Sequence, residues 1–186
     1  MEDLRVKRTK SNIENAMMQL IDEKGFSNVR MTEIAERAMV NRNTIYLHYE
    51  SKEEIVISLV DEAFKNSWND MNIEELVKQK STRKNLSAVY TKLFNTLGEN
   101  LELYRMVLTD ASLSGLLDKR ILKIRNSFVK TLKPTMRNQI GIEYLVQGIY
   151  GVIKKWIIYD TGTIEENVKI LTEFTFMNYR YLYLTR

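Results

Sequence analysis

The stretch MTEIAERAMVNRNTIYLHYESKEEI, residues 31–55, decides the fold of this chain. Its first part places apolar residues at helical spacing from Met31 to Ala38, which predicts a helix of about two turns. The next segment, Met39 to Asn41, leaves room only for a tight turn. A second short helix is predicted from Arg42 to Tyr49, with Ile45 as its main buried residue. Two short helices joined by a three-residue turn indicate a helix-turn-helix.

The segments on either side of this stretch extend the helical pattern. From Thr9 to Lys24, apolar residues recur at helical spacing, and Gly25 supplies a helix stop. Ser51 and Glu54 form a capping box, which predicts the start of a fourth helix that runs toward Trp68. A longer helix therefore braces the helix-turn-helix, and another helix follows it directly.

The composition favours an all-α fold. The chain has 186 residues, of which 44% are hydrophobic, with one Pro, seven Gly and no Cys. Sheet-rich folds need frequent turns and Gly-rich connections, so the sequence predicts about nine helices instead. We expect an N-terminal three-helix helix-turn-helix domain, residues 1–50, and a larger C-terminal helical domain, residues 51–186.

The same composition argues against several classes of function. Without Cys there is no disulfide, no thiolate nucleophile and no Cys-ligated zinc, and His48 is the only His. We therefore expect no catalytic residue, no metal site, no cofactor and no enzymatic activity. The first residues, MEDLRVKRTK, lack the apolar core of a signal peptide, and no window approaches the roughly 18 apolar residues of a membrane span. The resulting prediction is a soluble cytoplasmic protein that does not contact the membrane.

The two C-terminal helices predict a homodimer. The helical pattern is expected to be interrupted at Pro134 and then at Gly141, before a helix from Ile142 to Tyr159. A capping box of Thr163 with Glu166 opens the last helix. Both helices are apolar around most of their circumference, so both need cover on nearly all sides. A second copy that supplies the same pair would form a four-helix bundle across a two-fold axis. The candidate interface residues are Tyr144, Gly148, Gly151, Trp156, Leu171, Phe174, Met177 and Tyr181.

A helix-turn-helix places the N-terminal residues of its second helix at base edges in the major groove. Arg42 is suited to donate two hydrogen bonds to a guanine, whereas Asn41 and Asn43 either read bases or cap the helix. The residues after them are expected to contact phosphate and sugar, and one of the two tyrosines is a candidate for the core. Lys52, in the first turn of the next helix, is expected to bind phosphate. The candidate DNA-binding residues are Arg30, Thr32, Asn41, Arg42, Asn43, Thr44, Tyr46, His48, Tyr49 and Lys52.

Residues 31–55 resemble the DNA-binding domain of the TetR/AcrR transcriptional regulators, whose pattern is roughly I-A-x-x-A-G-V-x-x-x-T-x-Y-x-H-F-x-S-K-E-x-L. The corresponding residues are Ile34, Ala35, Ala38, Val40, Thr44, Tyr46, His48, Tyr49, Ser51, Lys52 and Glu53. The C-terminal stretch GIYGVIKKWI, followed by DTGTIEE, is similar to the branch that includes regulators of dihydroxyacetone-kinase operons.

The resemblance implies a dimeric, ligand-responsive repressor that binds a palindromic double-stranded DNA operator. An activator of the same fold, or an interaction module that does not bind DNA, are the alternatives. The resemblance also implies a pocket for a small-molecule effector among the middle helices, although each candidate fits an ordinary core better than a pocket wall. These candidates are Phe64, Trp68, Tyr90, Phe94, Tyr104, Met106, Phe128 and Tyr150.

Two positions depart from the family pattern. Met39 stands in the turn where the pattern has Gly, so the turn is expected to be strained or of another shape. Arg30 stands where Ser or Thr commonly precedes the first short helix. An Arg side chain has no acceptor atom with which to cap a helix, but it can reach a phosphate.

Overall fold

The computed structural model describes residues 4–68, 82–113, 115–131 and 135–183, with side chains described except at 64–68, 120, 127–128, 131 and 179–183. Within these residues the chain forms nine α-helices and no strand, which confirms the predicted all-α fold. In chain order the helices are α1 (Leu4–Lys24), α2 (Met31–Arg37), α3 (Arg42–Tyr46), α4 (Lys52–Trp68), α5 (Arg83–Glu99), α6 (Leu101–Thr109), α7 (Gly115–Thr131), α8 (Met136–Tyr159) and α9 (Ile164–Tyr183). None of the described helices is long and apolar enough to cross a membrane.

The chain divides into two compact units, Met1–Ala63 and Phe64–Arg186. This division falls inside α4, later than the boundary at residue 50 predicted from the sequence. The first turns of α4 belong to the N-terminal unit because Ile55 and Val56 are fully buried. Ser58 also donates a hydrogen bond to Glu14 of α1 over 2.8 Å.

In the N-terminal unit, helix ends lie where local signals predict them. α1 ends at Gly25, whose left-handed backbone (φ 76°) favours Gly, and the Gly25 N–H donates to the Ile21 carbonyl over 2.8 Å. At the start of α4, the Glu54 N–H donates to Ser51 Oγ over 3.3 Å. The return bond of this capping box comes from the N–H of Glu50, one residue earlier than the motif predicts. The core of the unit consists of apolar residues from all four helices, including Ile13, Met17, Ile34, Ile45 and Ile55.

In the second unit, α5 packs along α9, and α8 contacts α6, α7 and α9. Phe94 of α5 meets Trp156 of α8 edge to face, with ring centroids 5.0 Å apart. The Tyr90 hydroxyl lies 2.6 Å from Thr175 Oγ1 of α9, and burial raises the pKa of Tyr90 to about 12. These aromatic residues are therefore the centre of an ordinary packed core.

Two predictions about the ends of α8 and α9 have different outcomes. Gly141 does not interrupt the chain, because α8 begins before it, where Thr135 Oγ1 accepts a hydrogen bond from the Asn138 N–H over 3.2 Å. The predicted interruption at Pro134 lies outside the described residues. The capping box of α9 is confirmed, since the Thr163 N–H donates to the Glu166 carboxylate and the Glu166 N–H donates to Thr163 Oγ1. These Thr163 hydrogen bonds lower the pKa of Glu166.

Exposure divides the predicted interface residues of α8 and α9 into two groups. Trp156 and Leu171 were wrong as interface residues, because they are buried inside their own chain at 5% and 3% exposure. Tyr144, Phe174 and Met177 are each more than half exposed, at 66%, 57% and 54%. Gly148 and Gly151 are also exposed. The side chain of Tyr181 lies outside those described.

Candidate nucleic-acid interface

The turn between α2 and α3 has a left-handed residue at its centre. Met39 adopts φ 55°, the conformation that the family pattern assigns to Gly, and its side chain is 93% exposed. The turn closes through a hydrogen bond from the Val40 N–H to the Ala35 carbonyl over 3.0 Å. The predicted strain in this turn is therefore present, and it is confined to one residue.

Asn41 begins the recognition helix α3. Its Oδ1 accepts a hydrogen bond from the Asn43 N–H over 2.8 Å, so its side chain caps the helix, one of its two predicted roles. Arg42 and Asn43 follow as exposed residues in the first turn. The Arg42 guanidinium donates to the Tyr46 hydroxyl over 3.1 Å and lies 5.5 Å from the centre of that ring. Tyr46 thereby holds Arg42 on the exposed side of α3.

Tyr49 is not on this exposed side. It is 5% exposed, and its hydroxyl donates to Glu14 Oε1 of α1 over 2.9 Å. Burial, together with the neighbouring Glu14 carboxylate, raises the pKa of Tyr49 well above its usual range. The prediction that Tyr49 contacts phosphate was therefore wrong, and of the two tyrosines it is the one that belongs to the core.

Lys52 also differs from the prediction. Its ammonium donates to the carbonyls of Phe26, Ser27 and Val29 over 2.9, 3.2 and 3.2 Å. It also lies 4.4 Å from the centre of the Phe26 ring, a cation–π distance. Because these three acceptors use its three donors, Lys52 holds the segment before α2 against α4 and has no donor left for phosphate.

Arg30 precedes α2, and Glu33 supplies the capping interaction that Arg30 cannot. The Arg30 N–H donates to Glu33 Oε2 over 2.9 Å, and Lys24 Nζ lies 2.5 Å from Glu33 Oε1. The Lys24 hydrogen bond, followed by that of Arg30, lowers the pKa of Glu33. The side chains of Arg30 and Thr32 are exposed, while those of Thr44 and His48 are half-buried.

Leu47 is an exposed residue of the helix-turn-helix that was not among the candidates predicted from the sequence. It is 80% exposed at the C-terminal end of α3. Its position was available from the sequence, because a residue two places after the buried Ile45 lies on the opposite side of a helix. An exposed Leu there is suited to an apolar contact, such as one with a thymine methyl group.

Residues 13–59 match the family described as bacterial regulatory proteins, tetR family. A curated relative, the fatty acid metabolism regulator protein of Bacillus subtilis (strain 168), is 30% identical over 156 residues, covering 83% of this chain and 78% of its own. This chain belongs to the tetR family. Its relatives are transcriptional regulators, which are not enzymes, and this tetR-family protein is a DNA-binding transcriptional regulator.

Solved structures of other transcriptional regulators share the fold over nearly the whole chain. A transcriptional regulator from Aquifex aeolicus VF5 aligns with a TM-score of 0.63 at 18% identity, covering 91% of this chain and 98% of its own. The regulator FadR from Bacillus subtilis, solved in complex with stearoyl-CoA, aligns with a TM-score of 0.58 at 20% identity, covering 89% and 96%. At these identities the structures show that the fold is shared.

Three of the aromatic residues proposed for an effector pocket in this tetR-family chain are core residues. Tyr90, Phe94 and Tyr104 are at most 1% exposed. Tyr150 is half-buried, and its hydroxyl donates to Asp118 of α7 over 3.1 Å. Met106 is also half-buried, and the side chains of Phe64, Trp68 and Phe128 lie outside those described.

None of the candidate pocket residues whose side chains are described lines the groove of about 660 Å³ between α5 and α9. The walls of this groove include Lys84, Thr91 and Val168. Within the described residues, no cluster of three or more His, Asp or Glu side chains is arranged to hold a metal ion.

Replacing Met39 with Gly is expected to stabilise the N-terminal unit of the tetR-family protein by about 1 kcal/mol, because Gly adopts a left-handed backbone at lower cost. The side chain is 93% exposed, so little packing is lost. Chemical denaturation measures the effect. Met136→Gly is the control, since Met136 is exposed in the first turn of α8 and no positive φ is found there. A gain of equal size in both variants would contradict the strain at Met39.

Proposed function

We propose that this protein represses transcription by binding a palindromic operator as a homodimer, and that a small-molecule effector releases it. The observation that carries the proposal is the exposed first turn of α3. There Arg42 and Asn43 project outward, while Asn41 caps the helix and Ile45 anchors it in the core. A two-fold dimer would present two such helices to half-sites about 34 Å apart.

Exposed cations of the N-terminal unit are proposed to bind the DNA phosphates. Lys7 and Arg8 lie in the first turns of α1, and both are exposed, as is Arg30 before α2. Cations near the start of a helix are unfavourable for the helix dipole, so helix stability does not account for Lys7 and Arg8. Contacts with phosphate would account for them, and such contacts make binding salt-dependent.

The experiment that tests the proposal is a binding titration with the DNA upstream of the protein's own gene. A scrambled duplex of equal length is titrated in parallel, and both are measured at several salt concentrations. We expect tighter binding to the upstream fragment and a steep salt dependence on both duplexes. Equal, salt-insensitive binding to the two duplexes would contradict DNA recognition by this surface.

Arg42→Ala is expected to weaken binding to the operator by about 1 to 3 kcal/mol and to relax specificity at one base pair. Arg37→Ala is the matched control, because it removes the same charge from the same unit. Arg37 is the last residue of α2 and forms a bidentate ion pair with Glu23 on α1. Fluorescence anisotropy against operator variants measures both effects. Equal losses for the two variants would mean that Arg42 acts only through its charge.

The dimer is proposed to form through the exposed face of α8 and α9. Gly148 and Gly151 lie within α8, where each Gly costs about 1 kcal/mol relative to Ala. A Cβ atom at either position would meet nothing within 4 Å, so packing in the described part of the chain does not require Gly. Close approach of a helix from a second copy does explain these residues. Tyr144 on α8, with Phe174 and Met177 on α9, would supply the apolar contacts.

For the effector we propose a long-chain fatty acyl-CoA. The support comes from the relatives: one is a regulator of fatty acid metabolism, and a solved structure of the same fold holds stearoyl-CoA. The resemblance to regulators of dihydroxyacetone-kinase operons remains a sequence-based prediction. Adding stearoyl-CoA to the protein–operator complex should release the DNA, whereas free CoA should not. If neither compound changes binding, the effector belongs to another chemical class.

A further inference from the structure

Glu14 of α1 is a buried carboxylate held by two neutral hydroxyl groups. It is 9% exposed, and its Oε1 accepts hydrogen bonds from Tyr49 over 2.9 Å and from Ser58 over 2.8 Å. No Lys, Arg or His among the described residues forms an ion pair with it. The three residues join α1, the segment directly after the recognition helix α3, and α4 at a single oxygen atom.

The stability of the fold does not explain this carboxylate. Burying a charge without a cation costs free energy, and an apolar side chain of similar volume at such a site is often neutral or stabilising. Tyr49 strengthens the same point. The family pattern has Phe at this position, and the additional hydroxyl of Tyr is the group that reaches Glu14.

The location of Tyr49 connects this cluster with DNA recognition. Tyr49 closes the recognition helix, since its N–H donates to the Ile45 carbonyl over 2.8 Å. Ile45 is the only residue of α3 that is fully buried. One buried side chain fixes how deeply a five-residue helix sits, but it does not by itself fix the rotation of the helix about that point. A second attachment, at its C-terminal end, fixes the direction in which Arg42 projects.

We propose that the Glu14 carboxylate is a positioning group for operator recognition, which fixes the recognition helix through Tyr49 and Ser58 without touching DNA. The inference rests on the proposed operator binding. The affinity for DNA then has two separate contributions. Contacts with phosphate depend on charge and tolerate small rotations of α3, whereas base contacts require the helix to be correctly directed. Loss of the carboxylate should therefore lower specific binding and spare non-specific binding.

The test compares Glu14→Leu with Glu23→Leu in the full-length protein. Both variants remove one carboxylate from α1, so both change the net charge equally, but Glu23 lies on the surface in an ion pair with Arg37. The measured quantity is the ratio of affinity for the upstream DNA to affinity for the scrambled duplex. We expect Glu14→Leu to lower this ratio about tenfold, the size of one weakened base contact, and Glu23→Leu to leave it unchanged.

Two further variants keep the inference falsifiable if Glu14→Leu does not fold. Tyr49→Phe removes only the hydroxyl and should lower the ratio in the same direction. Glu14→Gln keeps an acceptor oxygen for both hydroxyls and should retain the wild-type ratio. A wild-type affinity ratio in Glu14→Leu would overturn the inference. If Glu14→Leu does not fold, a wild-type ratio in Tyr49→Phe would overturn it. An affinity ratio that falls as far in Glu14→Gln as in Glu14→Leu would also overturn it. A wild-type protein that does not distinguish the two duplexes would instead contradict the proposed function.

Discussion

Phe174→Asp is expected to weaken the proposed homodimer roughly a thousandfold, because two-fold symmetry applies a loss of about 2 kcal/mol twice. Phe174 is 57% exposed in the single chain and lies between Ile170 and Met177 on one face of α9, where these residues line a shallow apolar groove. An Asp at this position would lose its contact with water in the proposed dimer, which costs free energy. Sedimentation equilibrium measures the effect, with circular dichroism confirming that the monomer remains helical.

Leu122→Asp is the matched control for this variant. Leu122 is another exposed apolar residue, at 51%, but it lies on α7. The Leu122→Asp variant should dimerise as the wild-type protein does. A protein that remains dimeric with Phe174→Asp and dissociates with Leu122→Asp would place the interface elsewhere. The dissociated variant should also lose most of its operator affinity, since each half-site would then be bound separately.

Lys52→Met is expected to destabilise the N-terminal unit by about 2 kcal/mol, because three carbonyls lose a charged hydrogen-bond donor. The carbonyls belong to Phe26, Ser27 and Val29, directly before α2. Met retains most of the aliphatic stem, so the change reports mainly on the ammonium group. Urea denaturation gives the free energy of unfolding, and amide hydrogen exchange at Val29 reports on the segment itself.

The effect of Lys52→Met on DNA binding separates the two roles considered for this residue. If the ammonium only holds the fold, the salt dependence of binding should match that of the wild type under conditions where both are folded. Lys7→Met, an exposed lysine of the same unit, should show the opposite result, with unchanged stability and a flatter salt dependence. Unchanged stability in Lys52→Met would show that its three hydrogen bonds contribute little.

The sequence was sufficient where a structural feature depends on neighbouring residues. The stop at Gly25 and the box of Thr163 with Glu166 are local, since the partners lie within one helical turn of each other. Gly141 was misread because one Gly inside a helix costs only about 1 kcal/mol, which a capped 24-residue helix tolerates.

Other assignments depend on distances that no sequence pattern contains. Lys52 finds its acceptors 23 to 26 residues earlier in the chain, and Tyr49 finds Glu14 35 residues earlier. A family pattern identifies these positions but does not say whether the side chain points toward the solvent or toward another helix. In the same way, the sequence of a helix that is apolar on all sides does not reveal which side packs against its own chain. Trp156 and Leu171 were therefore assigned to the wrong surface.

The exposed glycines of α8 also bear on which chains can pair with each other. A bacterial cell often contains several regulators of one fold, and their subunits meet as they are synthesised. In the proposed dimer, a foreign subunit with larger side chains at the positions of Gly148 and Gly151 would hold the opposing helix away and lose apolar contacts. Gly at these positions would then favour self-association over mixed pairs, so that each operator is read by two identical halves.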